Sequence, residues 1–355
     1  MQDLSDNKGS GAVTAAAVIV VIYGMQMAKV LLVPFLIAAF LALITIRPML
    51  WLQQKRVPSF LAALVIVSAI MFLMAVVGTI LGSSIADFTA ALPGYQARLD
   101  AIVAGVIDFV IEHLNGDESM ESLGDMINPS WAMGLVATIL NSLKGVLTNT
   151  FLIVFTMIFM LLEVSSVGTK VEAAFGRSAE SLGRPKAFLQ NLGRYLGIKT
   201  VVSIATGFCA GTLTWSLGLD FPLLWAMLAF LLNYVPTIGS IIAAVPAVLL
   251  ALVQLGPGAA GATAIGFAAI NVVFGNLIEP RLMGYGVGIS PLVVFVGLIF
   301  WGWVFGPVGM LLSVPLTMIL KLILESDENT RWIAILIGSE RDAQYALKRR
   351  AAEQD

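Results

Sequence analysis

Histidine and cysteine are nearly absent from this 355-residue chain, which carries one of each, His113 and Cys209. A single cysteine excludes an internal disulfide and a thiolate metal cluster. A single histidine, set in a polar stretch, excludes an HExxH metal site and a histidine-based triad within the apolar sequence. There is no G-x-S-x-G elbow and no Walker A lysine loop, so neither hydrolytic chemistry nor ATP-driven pumping has the residues it needs. The chain is therefore not read as an enzyme, and no cofactor or metal is expected. Charge is scarce too, at 12% of residues where a soluble protein carries about 25%. The net charge of -2 and pI near 5.5 leave no basic surface for nucleic acid.

What fills the sequence instead is hydrocarbon: 59% of residues are hydrophobic and the mean hydropathy is +0.94. A globule of that composition has too little charge to cover itself, so its partner is the lipid bilayer. The apolar runs are long and continuous, whereas a transmembrane barrel alternates polar and apolar residues over segments of about ten. The expected fold is all-α, a polytopic helical membrane protein. Spans are expected over 12–28, 30–46, 60–82, 146–162 and 195–217, with Lys29 and Pro34 marking a tight turn between the first two.

Charge then orders these spans. Lys55 and Arg56, the stretch with Lys170, Arg177, Arg184, Lys186, Arg194 and Lys199, and the tail with Arg341, Lys348, Arg349 and Arg350 are basic. Such loops stay cytoplasmic, because positive charge resists translocation. Between Asp87 and Lys144 lie the acids Asp87, Asp100, Asp108, Glu112, Asp117, Glu118, Glu121 and Asp125. Leu99, Ile102, Val103, Val106, Phe109, Val110 and Leu114 recur there at helical spacing, which predicts an amphipathic helix outside the membrane. The resulting organisation has three spans in 1–86, an acidic extracytoplasmic segment in 87–145, and a fourth span with a basic loop in 146–199. A transport region follows in 200–325 and a cytoplasmic tail in 326–355, with both termini inside.

The last third carries a broken internal repeat. Residues 222–253 and 291–322 align without gaps at an offset of 69, matching Pro222-Leu223 to Pro291-Leu292 and Val245-Pro246 to Val314-Pro315. Pro236, Gly239 and Ser240 interrupt the first stretch; Gly306, Pro307 and Gly309 interrupt the second. At roughly 48 Å each if helical throughout, the stretches exceed a bilayer core of about 30 Å. Either each is one kinked span or each is a re-entrant hairpin. Both place the C terminus inside, so charge does not choose, and the hairpin is the preferred reading because midplane breaks accompany inverted repeats in secondary transporters. Backbone groups released at such breaks coordinate substrates, which makes these six residues the expected substrate pathway.

Polar side chains within this apolar region complete the list. Asn233, Asn271 and Asn276 are amides that either bridge helices or hydrogen-bond a substrate. Glu279 and Arg281 flank Pro280 at the end of an apolar run, and are either coupling charges or an interfacial pair. Glu163 ends the fourth span, where anchoring is the preferred reading over proton carriage. Gly207-x-x-x-Gly211 and Gly302-x-x-x-Gly306 are read as packing motifs, and Gly284-Tyr285-Gly286-Val287-Gly288 as a loop.

The runs Leu231-Leu-Asn233-Tyr-Val-Pro236-Thr-Ile-Gly239-Ser240, Asn276-Leu-Ile-Glu279-Pro280-Arg281-Leu-Met-Gly284 and Phe300-Trp301-Gly302-Trp303 with Gly306-Pro307-Val-Gly309 resemble the autoinducer-2 exporter family of membrane permeases. Val33-Pro34-Phe35, Arg56-Val-Pro58 and Phe159-Met-Leu-Leu-Glu163 extend the resemblance over nearly the whole chain. It implies a multi-pass protein of the bacterial inner membrane that exports the small quorum-sensing signal autoinducer 2. It also implies a homo-oligomer, a pentamer, with an elevator-like transport domain. Two other readings stand beside it: a sodium/proton antiporter, as other members of that family resemble, and a non-transporting membrane regulator.

Overall fold

A computed structural model describes residues 3–114, 149–175, 179–236, 238–283, 288–326, 329–340, 343, 344 and 347. The second half of the acidic segment, with Asp117, Glu118, Glu121 and Asp125, lies outside the described residues, as do Thr237, the 284–287 part of the glycine-rich loop and the basic tail residues Arg341, Lys348, Arg349 and Arg350.

The described residues form helices and no strand: α1 Asp3–Met27, α2 Lys29–Gln54, α3 Ser59–Leu114, α4 Thr150–Phe175, α5 Ala179–Ser216, α6 Pro222–Leu232, α7 Ile238–Leu255, α8 Pro257–Asn271, a π-helical stretch Val272–Ile278, α9 Glu279–Met283, α10 Pro291–Phe305, α11 Pro307–Leu311, α12 Ser313–Ser326 and α13 Arg331–Ile337. Among the described residues five helical segments are long and apolar enough to cross a bilayer: Lys29–Gln54, Ser59–Gly105, Asn191–Ser216, Ile238–Leu255 and Pro257–Met283. Their apolar side chains face outward, Phe208 at 74% and Ile265 at 72% exposure for example, which is the inverse of a soluble fold and fits a lipid solvent.

Two helices run further than their composition implies. The third span and the amphipathic segment after it form one helix, α3, which passes the expected boundary at 86/87 without interruption. The helix that holds the fifth span starts at Ala179, its membrane-length apolar part being Asn191–Ser216, and Lys199 consequently lies inside an apolar helix instead of in a basic loop. Between α1 and α2 there is only Ala28, across which the backbone bonds continue: Ala28 N–H donates to Gly24 O at 2.9 Å and Leu32 N–H to Ala28 O at 3.0 Å.

The chain divides into two compact units. The first contains 1–67, 149–192 and 288–355. In it α2 packs along α4, with Ala38, Ala42 and Met49 buried on one helix and Ile153, Met157 and Leu161 on the other, at four- and seven-residue spacing. A second cluster joins Trp301, Val304 and Phe305 of α10 to Ile22, Met25, Leu32, Val33 and Leu36. Residues 291–322 fold back on themselves here. The Trp301 indole N–H donates to Thr317 Oγ1 at 3.1 Å, and Lys321 Nζ donates to Gly288 O at 2.7 Å, so the two ends of the stretch lie together.

The second unit contains 68–148 and 193–287. Its core takes a 3-4 stripe from α3 (Leu81, Phe88, Tyr95, Leu99), which meets Leu224, Trp225 and Leu228 of α6 and Ala243, Ala247 and Leu250 of α7. Here too a broken stretch is closed at its base. Asp220 N–H donates to Gln254 Oε1 at 3.0 Å, Gln254 Nε2 to Gly218 O at 3.3 Å, and Tyr95 OH to Asp220 Oδ2 at 2.7 Å. Residues 34 positions apart are thus neighbours, and α6 and α7 are antiparallel arms with turn residues at 233–236. Phe221, at φ 57°, takes the left-handed conformation at the base, steadied by an edge-on contact with the Phe88 ring at 5.9 Å. The two glycine pairs also resolve. In Gly207-x-x-x-Gly211, added β-carbons would lie 2.7 Å from Ala226 O and 2.8 Å from Ala226 Cβ, so the motif seats α5 on α6. In the second pair only Gly302 is a close contact, against the Met310 side chain; Gly306 has open space around it and takes φ 71° instead.

Candidate transport site

The break residues fall in different units: 236–240 in the second and 306–309 in the first. Each break turns on a glycine pressed against the preceding arm. A β-carbon on Gly239 would overlap the Leu232 carbonyl oxygen, and one on Gly309 the Trp301 carbonyl oxygen; Val235 and Phe305, each four residues earlier, flank them. Pro222 and Pro291 both stand in the first turn of their arm, where a missing N–H costs nothing. Gly306 adopts φ 71° to start the second turn, and Pro307 begins α11.

The richest polar cluster surrounds the first hairpin. Lys199 Nζ lies 2.7 Å from both carboxylate oxygens of Glu279, with side chains 6% and 17% exposed. A charged pair at this depth persists because neither partner is tolerable alone in a low-dielectric surround. The sequence placed Arg281 beside Glu279, yet Arg281 is exposed, and the cation that meets Glu279 comes from α5, 80 positions earlier. Glu279 follows directly on the π-helical stretch Val272–Ile278, a form of helix that is frequent at functional sites.

One face of α5 carries Tyr195, Lys199, Ser203 and Thr206, all buried, over about 16 Å of helix. Asn233 at the turn donates through Nδ2 to Ser203 Oγ at 2.8 Å, and Tyr234 OH donates to Thr200 Oγ1 at 2.8 Å. Beyond Ser203 the face opens on a small pocket lined by Thr206, Asn233, Ser240, Asn271, Phe267, Ile270 and three alanines, with room for little more than a water molecule. Gly275 leaves the space that Asn271 Oδ1 occupies, since a β-carbon there would lie 3.0 Å from it. Of the expected pathway residues in this unit, the structure therefore brings together Asn233, Ser240 and Asn271. Asn276 points outward, Pro236 and Gly239 shape the turn, and Glu163 is an exposed residue of α4 in a segment assigned to the other unit.

Lys199, Ser203 and Thr206 escaped the sequence reading. Lys199 was taken with the basic loop because six cations cluster over 170–199; the available signal was its position five residues into a continuous apolar run. Among the described residues no group of three or more metal-ligating side chains forms.

Paired ionisable groups largely withdrawn from solvent on candidate spans, beside helices broken by proline and glycine, are the construction of a membrane transporter. The comparisons agree. The family model for AI-2E family transporters matches residues 15–328, and the chain belongs to that family; it is a multi-pass membrane protein of a transporter family. It is 37% identical over 320 residues to the AI-2 transport protein TqsA of Escherichia coli K12, covering 90% of this chain and 93% of that one. It is 39% identical over 335 residues to a putative transport protein of Haemophilus influenzae, covering 92% and 95%. The putative transport protein YhhT of Escherichia coli K12 is 32% identical over 326 residues, covering 92% and 93%.

Proposed function

We propose that this chain is a secondary transporter that exports autoinducer 2 across the bacterial inner membrane, with both termini cytoplasmic and as a homo-oligomer, a pentamer. The observation that carries coupled transport is the Lys199–Glu279 pair, held within candidate spans beside the first hairpin. The likeness to TqsA, whose name states AI-2 transport, supports the substrate. The substrate itself is small, uncharged and polyhydroxylated, and the hairpin region offers it amides, hydroxyls and backbone groups.

In this reading residues 222–253 and 291–322 are re-entrant hairpins of one repeat, each entering the membrane and leaving on the same side. Their ends meet through Asp220–Gln254 and Gly288–Lys321 contacts, and Gly239 and Gly309 take the same part in each turn, one position off the gap-free offset. Within the second unit Asn233, Pro236, Gly239, Ser240, Asn271 and Asn276 are the pathway residues; within the first, Gly306, Pro307 and Gly309 are those of the second break. Glu279 is the coupling carboxylate and Lys199 its partner, with Arg281 and Glu163 as outlying charges. Protonation of Glu279 releases Lys199, and re-formation of the pair returns the transporter.

The test is flux of labelled autoinducer 2 by the purified chain in proteoliposomes, with and without an imposed proton gradient. Gradient-dependent flux supports the reading; absence of flux above protein-free vesicles, with folding and insertion verified, rejects the substrate. One observation favours a second reading, sodium/proton antiport: Glu279 is a carboxylate buried against a lysine on a candidate span, which such exchange requires. A sodium-dependent pH change inside the same vesicles would establish it.

A further inference from the structure

Threonines on the helices of this protein hide their hydroxyls in a uniform way. Thr200, Thr212, Thr214, Thr263 and Thr317 each donate to the carbonyl one turn back, at 2.7–3.0 Å. Such a bond satisfies the hydroxyl wherever the helix lies in hydrocarbon. Thr206 departs from this. Its side chain is buried, the residue being 6% exposed, and its Oγ1 has no hydrogen-bond partner. It lines the pocket at the first hairpin turn, where an unmet hydroxyl costs about 1–3 kcal/mol.

We propose that Thr206 Oγ1 is the hydrogen-bonding contact of a subsite for one hydroxyl of a neutral, polyhydroxylated small molecule. The inference rests on the transport reading above and deepens it by assigning the ligand contact. Three features support it. The pocket wall carries no charged side chain: its polar members are Thr206, Asn233, Ser240 and Asn271, which suits hydroxyls and not phosphates or carboxylates. Phe267 and Ile270 supply the apolar face that a furanose-sized ring presents alongside its hydroxyls. Asn233 caps α6 while Ser240 and Ala243 stand on α7, so separation of these two arms widens a pocket that otherwise has room for little more than water. In this proposal the ligand hydroxyl is the partner that Thr206 Oγ1 lacks.

The test uses the full-length purified chain as wild type, Thr206→Val and Thr206→Ser. Valine keeps the shape and removes the hydroxyl; serine keeps the hydroxyl and removes the methyl. Melting temperature is followed against ribose, xylitol, autoinducer 2 and ribose 5-phosphate, and proteoliposome flux of labelled autoinducer 2 is measured. Ribose, xylitol or autoinducer 2 is expected to raise the wild-type melting temperature, while ribose 5-phosphate does not. The concentration for half-maximal protection, and for half-maximal flux, is expected to rise about tenfold in Thr206→Val and to stay within about twofold in Thr206→Ser.

Protection of wild type by none of the neutral compounds would overturn the subsite, as would equal protection by ribose 5-phosphate, or a serine variant as impaired as the valine one. Protection by ribose or xylitol without any autoinducer 2 flux would leave the subsite standing and remove autoinducer 2 as the substrate.

Discussion

Lys199 and Glu279 show how much one side chain depends on another that is distant in sequence. Each is a charge on an apolar helix, and each is tolerated because the other lies 2.7 Å away. Replacing Lys199 with Met should strand the carboxylate and lower stability by about 3 kcal/mol, seen as a fall in melting temperature in detergent. The double variant Lys199→Met with Glu279→Gln should recover most of that loss while flux remains insensitive to a proton gradient. Glu279→Gln alone should abolish gradient-dependent flux; unchanged flux across pH would take Glu279 out of the mechanism. Local sequence suggested Arg281 as the partner because it is two positions away. On a helix such neighbours point about 200° apart, which leaves Arg281 in the open and Glu279 facing α5.

At the scale of elements, the hairpins depend on two glycines whose role is steric. A β-carbon on Gly239 or Gly309 meets a carbonyl oxygen of the preceding arm, and backbone cannot yield as a flexible side chain does. Gly239→Ala and Gly309→Ala should therefore each cost more than about 3 kcal/mol and give polydisperse protein on size exclusion. Substitution by valine at either position perturbs the fold together with the pathway, so loss of transport there is expected without preserved expression. Gly261→Ala, on α8 with open space around it, should instead stabilise by about 1 kcal/mol, and the contrast in melting temperature checks the assignment. At the base of the first hairpin, Tyr95→Phe removes the bond from Tyr95 OH to Asp220 and should lower stability by about 2 kcal/mol, because the acceptor is a carboxylate. The breaks themselves were legible, since proline and glycine interrupt a helix whatever surrounds it. That the ends of each stretch lie close together was not legible, because it rests on hydrogen bonds between residues more than thirty positions apart.

For the molecule as a whole, composition alone determined that this is a helical protein dissolved in lipid: so few charges and such long apolar runs admit no other solvent. The sequence also located the apolar helices, the two breaks, and the amides near the first of them, because hydropathy and backbone chemistry are properties of neighbouring residues. Family membership followed from long motifs and holds over residues 15–328. Tertiary structure decided the rest. It carried the third span on into the acidic segment as one helix whose 3-4 stripe packs on the first hairpin, drew Lys199 out of a basic loop into a buried pair, and set the unpartnered hydroxyl of Thr206 against Asn233, Ser240 and Asn271. Each of these is a meeting between residues tens of positions apart, and such meetings depend on which helix faces pack together, a property that periodicity along one helix does not contain.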